Sequence, residues 1–227
     1  MKKKLLIGGC SFSEPKHGHG PWHPWTDQFV KEYKDEWDVT NTSQGSIGNA
    51  IITQNIVDNI LKGDRPDLVI VQWSAIGRAY SHNETDFIGR LLKEKNALQF
   101  APHMGEYISQ DDRAGWVTNM VDTISDNFYQ SSLVSMIGLQ SFLNEKQIPY
   151  IFFWGWCQFN DDLRTKFRYY LDLLYNERWW NPTGSMSSFI QRKYGKKGIM
   201  GGGDFHPNNL GQRHFYEKAV KAMFEDD

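Results

Sequence analysis

Short, almost continuous hydrophobic runs punctuate this chain, and three of them have the character of buried strands. They cover residues 5–7, 67–73 and 148–154, and glycine or small polar residues follow each run. A nearly unbroken apolar run indicates burial on both faces, as in a parallel sheet. A weaker run at 36–40 predicts a further strand, which is the second in chain order.

Between these runs, apolar residues recur at the three-to-four-residue spacing of an amphipathic helix. A first helix is predicted directly after Thr26, whose hydroxyl is placed to cap it. Further helices are predicted over 50–62, 128–144, 161–175 and 209–224. The segment 179–194 is rich in aromatic residues and fits neither the strand nor the helix pattern.

Strands and helices alternate along the chain, and the connections between strands are long enough to cross over the sheet. This order predicts an α/β fold with a mostly parallel sheet and helices on both faces. The length of 227 residues fits a single domain spanning 1–227. The polar, irregular segment at about 78–125 predicts an elaboration near the sheet edge, such as a lid.

The composition indicates a globular protein and limits the binding partners that we expect. Hydrophobic residues make up 40% of the chain and aromatic residues 15%, as in a globular protein. A net charge of −2 gives no reason to expect a nucleic-acid partner. Apolar runs are far shorter than the roughly 18 residues of a membrane helix. The apolar stretch near the amino terminus is also too short for a signal peptide, so we expect a cytoplasmic protein.

Two cysteines, Cys10 and Cys157, each follow a predicted strand. The two cysteines are separated if the third strand lies between the first and the fourth in the sheet. The two thiols would then lie too far apart for a disulfide, which needs Cα atoms within about 7 Å. We therefore expect two free thiols.

Candidate chemistry lies at the two ends of the chain. Ser11 follows the first strand and two glycines, which presents it at the carboxyl edge of the sheet, where open α/β folds bind ligands. Asp204 and His206 precede the last helix, and a two-residue spacing in an extended segment places both side chains on one side. A serine nucleophile needs a base and a group that orients the base. We expect Ser11 to attack, His206 to act as the base and Asp204 to orient it.

Three motifs, GGCSFS, NTSQGSIGN and DFHPNNLGQRH, resemble in order those of the SGNH (GDSL-like) hydrolases. In the first, Ser11 matches the family's nucleophile and Cys10 replaces an acidic residue. In the second, the amide of either Gly45 or Ser46 matches the family's oxyanion donor. The last motif has the family's Asp, His and Pro, with the compressed Asp-x-His spacing also seen in SGNH-like proteins of phage type. The resemblance implies a flavodoxin-like, three-layer α/β/α domain that hydrolyses esters without cofactor or metal.

The third motif departs from the family pattern, in which the third strand is followed by Gly-x-Asn-Asp and the asparagine donates to the oxyanion. Here the strand continues into Ser74 and, four residues later, Arg78, with no asparagine between them. Ser74 can donate in its place, and Arg78 can contribute charge to the site. Asn49, in the second motif, can supply a replacement carboxamide. Loss of one such donor typically costs about 10²–10³ in turnover.

Two other sites compete with this interpretation. His17, His19 and His23 lie close together, and clustered histidines can bind metal. Their Gly- and Pro-rich loop gives no regular ligand geometry, so we predict no metal and interpret 17–25 as a wall of the pocket. Cys10 is an alternative nucleophile, although a residue that precedes the turn serine should point into the core.

The predicted function is a serine esterase or deacetylase acting on a small or carbohydrate-linked acyl ester. Trp22 and Trp73 lie near the predicted site and offer ring faces suited to a sugar or an acyl chain. His214, in the last helix, is the competing candidate for the base. The alternative function is a non-catalytic SGNH-fold module, such as a virion-associated phage structural or assembly protein with viral partners.

Overall fold

A computed structural model describes most of the chain. The described residues are 2–15, 23–45, 47–63, 65–76, 110–156, 161–199 and 206–225, and for 110–125, 128 and 225 only the backbone is described. No helix within these ranges is long and apolar enough to cross a bilayer. The predicted lid falls largely on 77–109, outside the described residues, so the lid and the single domain stay predictions.

Within the described residues, the sheet has four parallel strands in the order β2-β1-β3-β4. The strands are β1 (Lys3–Gly9), β2 (Trp37–Asn41), β3 (Leu68–Trp73) and β4 (Tyr150–Trp154). All four match predicted strands, and β3 lies between β1 and β4, as expected for a flavodoxin-like sheet. Cys157 lies outside the described residues, so its separation from Cys10 stays a prediction.

The register aligns the carboxyl ends of the central strands. Gly9 of β1 pairs with Gln72 of β3, and Trp73 of β3 pairs with Trp154 of β4. The residues that follow these three strands therefore meet at one edge of the sheet. This is the edge at which open α/β folds place their ligand sites.

Eight α-helices within the described residues flank the sheet and are numbered here in chain order. They are α1 (Trp25–Tyr33), α2 (Asn49–Lys62), α3 (Gln110–Glu145), α4 (Asp161–Lys166), α5 (Arg168–Leu174), α6 (Met186–Tyr194), α7 (Asn209–Phe215) and α8 (Lys221–Glu225). A 3₁₀ turn (Gly195–Gly198) follows α6, and a π-helical turn (Tyr216–Val220) joins α7 to α8. The expected three-layer α/β/α architecture is confirmed.

Two neighbouring residues on β4 pack on opposite faces of the sheet. Phe153 packs against Trp25 of α1 and Phe215 of α7, with ring centroids 5.9 and 5.2 Å away. Phe152 packs instead against Trp73, 5.2 Å away. Successive side chains on a strand point to opposite faces, so these two buried phenylalanines serve separate halves of the core.

Two segments differ from the helix predictions, and the segment left open at 179–194 has a defined structure. The predicted helix at 161–175 is broken at Phe167, between α4 and α5, and α3 begins well before residue 128. In the ambiguous segment, Trp179 forms a parallel bridge with Phe152, and α6 follows. The amide of Trp180 donates to the Phe152 carbonyl at 2.9 Å, which extends hydrogen bonding beyond β4.

The predicted cap at Thr26 is wrong. Helix α1 begins at Trp25, two residues before the predicted start, and Pro24 occupies the N-cap position. The Thr26 hydroxyl instead donates to the Ser13 carbonyl at 3.2 Å. This hydroxyl is buried and needs a partner, which a backbone carbonyl of the first loop provides. Thr26 therefore ties α1 to the segment that carries Ser11.

Candidate active site

The turn after β1 presents Ser11 at the carboxyl edge of the sheet. The strand ends at Gly9, and the amide of Ser13 donates to the Cys10 carbonyl at 2.9 Å, which closes a tight turn around Ser11. Cys10 and Phe12 on either side of Ser11 are buried, whereas Ser11 is only partly so. A buried strand thus delivers one accessible hydroxyl to the edge.

The segment that carries His206 is held in place at the start of α7. Asn208 caps α7 by accepting from the Gly211 amide at 3.1 Å. Its side-chain amide also donates to the carbonyls of Lys197 and Ile199, at 2.8 and 3.1 Å. These bonds attach Asn208, two residues after His206, both to α7 and to the segment that follows α6.

The two ends of the chain meet at Ser11 and His206. The Ser11 Oγ lies 2.6 Å from the His206 Nε2, although the residues are 195 apart in sequence. The Phe12 ring packs on the imidazole at a centroid distance of 4.9 Å. An unprotonated Nε2 at this distance can accept the serine proton, which is the geometry that a general base requires. Asp204 lies outside the described residues, and its orienting role stays a prediction.

A buried glutamine joins α7 to the Ser11 turn. The Gln212 Nε2 donates to the Phe12 carbonyl at 3.3 Å, and its Oε1 accepts from the Trp25 amide at 3.0 Å. Gln212 has no exposed surface. The helix that begins just after His206 is therefore bonded directly to the residue that follows Ser11.

The loop before α2 lies against the same edge. The amide of Gln44 donates to the Gly9 carbonyl at 3.1 Å, which brings this loop next to the end of β1. A Cβ at Gly45 would lie 2.8 Å from the Glu14 Oε2, so glycine lets the loop approach that carboxylate. Ser46 lies outside the described residues. The assignment of the Gly45 or the Ser46 amide as an oxyanion donor stays a prediction.

The end of β3 contributes a buried serine. The Ser74 amide donates to the Asn49 Oδ1 at 2.8 Å, and the Asn49 Nδ2 donates to the Ser132 Oγ at 2.7 Å. Ser74 is 1% exposed, and its Oγ has no hydrogen-bond partner among the described residues. A buried hydroxyl without a partner is costly in a folded protein and calls for an explanation.

Comparison with known proteins settles the fold. No family model and no curated protein sequence matches this chain. Among solved structures it is similar to TesA, with 14% identity, a TM-score of 0.55 and coverage of 97% of this chain and 98% of TesA. It is also similar to a psychrotrophic esterase, EstA from Pseudoalteromonas sp., with 12% identity, a TM-score of 0.56 and coverage of 99% and 98%.

This chain has the SGNH-hydrolase fold. The EstA structure was determined with that enzyme inhibited by monoethylphosphonate. At these identities the likeness carries the fold and leaves residue roles to be argued from the site itself.

Two predicted site residues have other partners in this SGNH fold: Trp73, expected to contact substrate, and Asn49, expected to supply a replacement carboxamide. The Trp73 ring has no exposed surface and packs in the core against Phe152. The ring is part of the core packing, which argues against the predicted role. Asn49 is also buried, with its carboxamide bonded to Ser74 and Ser132, and this favours a structural role. Trp22 and Arg78 lie outside the described residues and stay predictions.

The competing histidine lies elsewhere. His214 stacks on Phe189 with ring centroids 5.2 Å apart and meets the Tyr194 ring edge-on at 5.1 Å. Burial lowers the pKa of His214, and the charges of Lys193 and Lys218 lower it further. These contacts place His214 against α6, whereas Ser11 is in contact with His206.

Neither rival site gains support from the described residues. Cys10 is buried, and its Sγ lies 3.4 Å from the Gln72 Oε1, so the thiol points inward as expected. No group of three His, Cys, Asp or Glu side chains within the described ranges is arranged to hold a metal ion. His17 and His19 lie outside those ranges. His23 donates its backbone amide to the Asn209 Oδ1 at 2.8 Å.

Gln72 is a further residue at this edge, and its role was not predicted from the sequence. It is the one strongly polar side chain in the otherwise apolar β3, and it has no exposed surface. A polar residue inside a buried strand was the available signal, because a buried carboxamide must find partners. Those partners lie in the Ser11 turn.

Proposed function

We propose that this protein is a serine ester hydrolase in which Ser11 is the nucleophile and His206 is the general base. The observation that carries the proposal is the 2.6 Å contact between the Ser11 Oγ and the His206 Nε2 at the carboxyl edge of the sheet. Asp204, two residues before His206, is proposed to orient the imidazole and to stabilise its protonated form.

The proposed reaction follows from this pair. His206 removes the hydroxyl proton as the Ser11 Oγ bonds to the ester carbonyl carbon, and the carbonyl oxygen becomes an oxyanion. The tetrahedral intermediate collapses, and His206 returns the proton to the departing alcohol. Water then attacks the acyl-enzyme with His206 again as the base. Collapse of the second intermediate releases the acid and restores the Ser11 hydroxyl.

The oxyanion needs donors placed before the reaction begins. We propose the Ser11 amide, an amide of the Gly45–Ser46 turn and the Ser74 hydroxyl. Support comes from the Gln44–Gly9 bond, which holds the turn against β1, and from the unpartnered, buried Ser74 Oγ. Ser74 follows β3, next to β1, where the family places its asparagine.

We propose a small or carbohydrate-linked acyl ester as the substrate class, with deacetylation as one form of the reaction. The esterase EstA, which has a similar fold, supports ester chemistry. Neither cofactor nor metal is required by the proposed steps, because the proton and the acyl group pass between Ser11, His206 and water. We further propose a cytoplasmic protein with no nucleic-acid or membrane partner.

Replacement of Ser11 by alanine tests the proposal. Hydrolysis of an activated acetyl ester should fall by at least about 10³-fold in Ser11→Ala, because the nucleophile is lost. Ser135→Ala is the matched control, since it removes a half-buried hydroxyl that only donates to the Ser131 carbonyl within α3. Equal, low hydrolysis by both variants and the wild type would refute an esterase.

A second candidate is a non-catalytic binding or virion-associated module of the same fold. One observation favours it: the end of β3 lacks the asparagine that the family uses as an oxyanion donor. A folded protein that neither hydrolyses esters nor reacts with a phosphonate would support this candidate.

Replacement of Ser74 by alanine tests whether the Ser74 hydroxyl is an oxyanion donor. If the hydroxyl is an oxyanion donor, kcat should fall by about 10²–10³-fold. Stability should stay the same or rise, because the lost hydroxyl has no partner among the described residues and its backbone amide keeps the Asn49 bond. Kinetics and thermal unfolding of the same sample check both parts. Unchanged kcat would exclude Ser74 from the oxyanion site.

A further inference from the structure

Gln72 occupies an unusual place for a carboxamide. It lies near the end of β3, paired in register with Gly9 of β1, and its side chain is fully buried. The Gln72 Oε1 accepts from the Cys10 amide and from the Ser13 hydroxyl, each at 3.2 Å. Both donors belong to the turn that presents Ser11. One oxygen atom thus holds the residue before the serine and the second residue after it.

The side-chain nitrogen of Gln72 also has two partners. Its Nε2 donates to the Trp73 carbonyl at 2.7 Å and lies 3.3 Å from the Cys10 Sγ. The Ser13 hydroxyl also accepts from the Trp25 Nε1 at 2.9 Å, so the network continues into α1. Every polar atom of this carboxamide is used, and buried networks of this kind favour a single conformation.

Two glycines provide room for the carboxamide. A Cβ at Gly155 would lie 2.0 Å from the Gln72 Nε2, and a Cβ at Gly9 would lie 3.1 Å from its Oε1. Residues with side chains at these positions would displace Gln72. The ends of β1 and of the segment after β4 are therefore shaped around this side chain.

We infer that Gln72 is a positioning residue, which fixes the Ser11 turn so that the Ser11 Oγ and the backbone amides of the turn keep their reactive geometry. The inference rests on the proposed function. Gln72 does not touch the reacting atoms; it acts through Cys10 and Ser13, which flank the nucleophile. A misplacement of about 1 Å in such a site can cost about 10²-fold in rate.

The substitution Gln72→Glu gives a reversible test. A protonated carboxyl can accept from Cys10 and Ser13 and donate to the Trp73 carbonyl, as the carboxamide does. An ionised carboxylate cannot donate to that carbonyl, and its charge opposes the developing oxyanion nearby. Burial raises the pKa of carboxyl groups to as high as about 8–9 in documented cases, so ionisation falls within a usable pH range.

The experiment compares ester hydrolysis by wild type and Gln72→Glu between about pH 6 and about pH 9. The wild-type kcat at each pH serves as the reference. The ratio of variant to wild-type kcat should be near one at the low end and should fall by at least about tenfold as the introduced carboxyl ionises. KM should change little, because Gln72 does not contact substrate.

Gln140→Glu is the matched control. Gln140 is also buried, and its Nε2 donates to a backbone carbonyl, that of Leu173, at 3.0 Å. It joins α3 to α5 and does not touch the Ser11 turn. Its substitution should lower thermal stability as pH rises, just as Gln72→Glu does, while its kcat follows the wild-type pH profile.

Gln72→Met covers the case in which Gln72→Glu does not fold. It fills a similar volume without polar atoms, and its kcat should be reduced by at least about tenfold at every pH, with KM retained. Folded Gln72 variants whose kcat matches the wild type at every pH would overturn the inference and leave the proposed function intact. An inactive, folded wild type would overturn the proposed function and the inference together.

Discussion

Replacement of His206 by alanine should lower ester hydrolysis by at least about 10³-fold while the protein stays folded. The Ser11 hydroxyl would lose the only described group within 2.6 Å that can take its proton. The imidazole is half-buried just before α7 and packs on the Phe12 ring, so its removal costs less packing than the loss of a fully buried ring. Steady-state kinetics and the unfolding temperature measure the two effects.

His214→Ala is the control for this prediction. It removes a histidine that packs between Phe189 and Tyr194 and does not contact Ser11 through any described bond. Activity should be close to that of the wild type, with a modest loss of stability. The assignment of the base would be wrong if His214→Ala abolished hydrolysis and His206→Ala spared it.

Replacement of Gly211 by alanine should destabilise the protein, although alanine is the better helix former by about 1 kcal/mol. A Cβ at Gly211 would lie 2.2 Å from the Gly198 carbonyl oxygen, so α7 would have to move away from the segment after α6. We expect a net loss of about 1–3 kcal/mol in the free energy of unfolding. Hydrolysis should also fall, because α7 begins three residues after His206.

Gly138→Ala is the matched control on α3. No atom lies within 4 Å of a Cβ built there, so helix propensity acts alone and the protein should gain up to about 1 kcal/mol. Denaturant unfolding of the two variants should therefore show changes of opposite sign. Stabilisation by Gly211→Ala would show that the close approach of α7 to Gly198 does not hold in solution.

Strands β1, β3 and β4 were predictable because most of their residues are buried on both faces of the sheet. Continuous apolar runs such as that of β3 have few other structures open to them, and the crossover rule fixes their direction. The contact between Ser11 and His206 was also within reach of the sequence. A serine after a buried strand and a histidine before a helix are both delivered to a sheet edge, whichever residues lie between them.

Details that depend on side-chain partners were not predictable in the same way. Thr26 has the residue type of a helix cap, yet its hydroxyl bonds the Ser13 carbonyl from another part of the chain. Trp73 looked like a pocket residue because it ends a strand, but its ring turns into the core against Phe152. Spacing along the chain fixes which face a residue occupies and not which distant group it meets there.

Gln72 is another residue whose side-chain partners could not be predicted from the sequence. A glutamine within an apolar strand indicates a buried polar group, but the sequence does not show that its partners are Cys10 and Ser13. The register of β1 against β3 decides this, since it sets Gly9 opposite Gln72. A one-residue shift in register would have turned the side chain to the other face.

Reaction with a fluorophosphonate, followed by mass spectrometry of the peptides, tests the central claim most directly. Such a probe forms a stable bond only with an activated nucleophile, and the similarly folded esterase EstA was crystallised in a phosphonate-inhibited form. We predict one adduct, on the peptide that contains Ser11, which is absent in Ser11→Ala and strongly reduced in His206→Ala. A folded wild-type protein that stays unlabelled, or one labelled at a residue other than Ser11, would contradict the account.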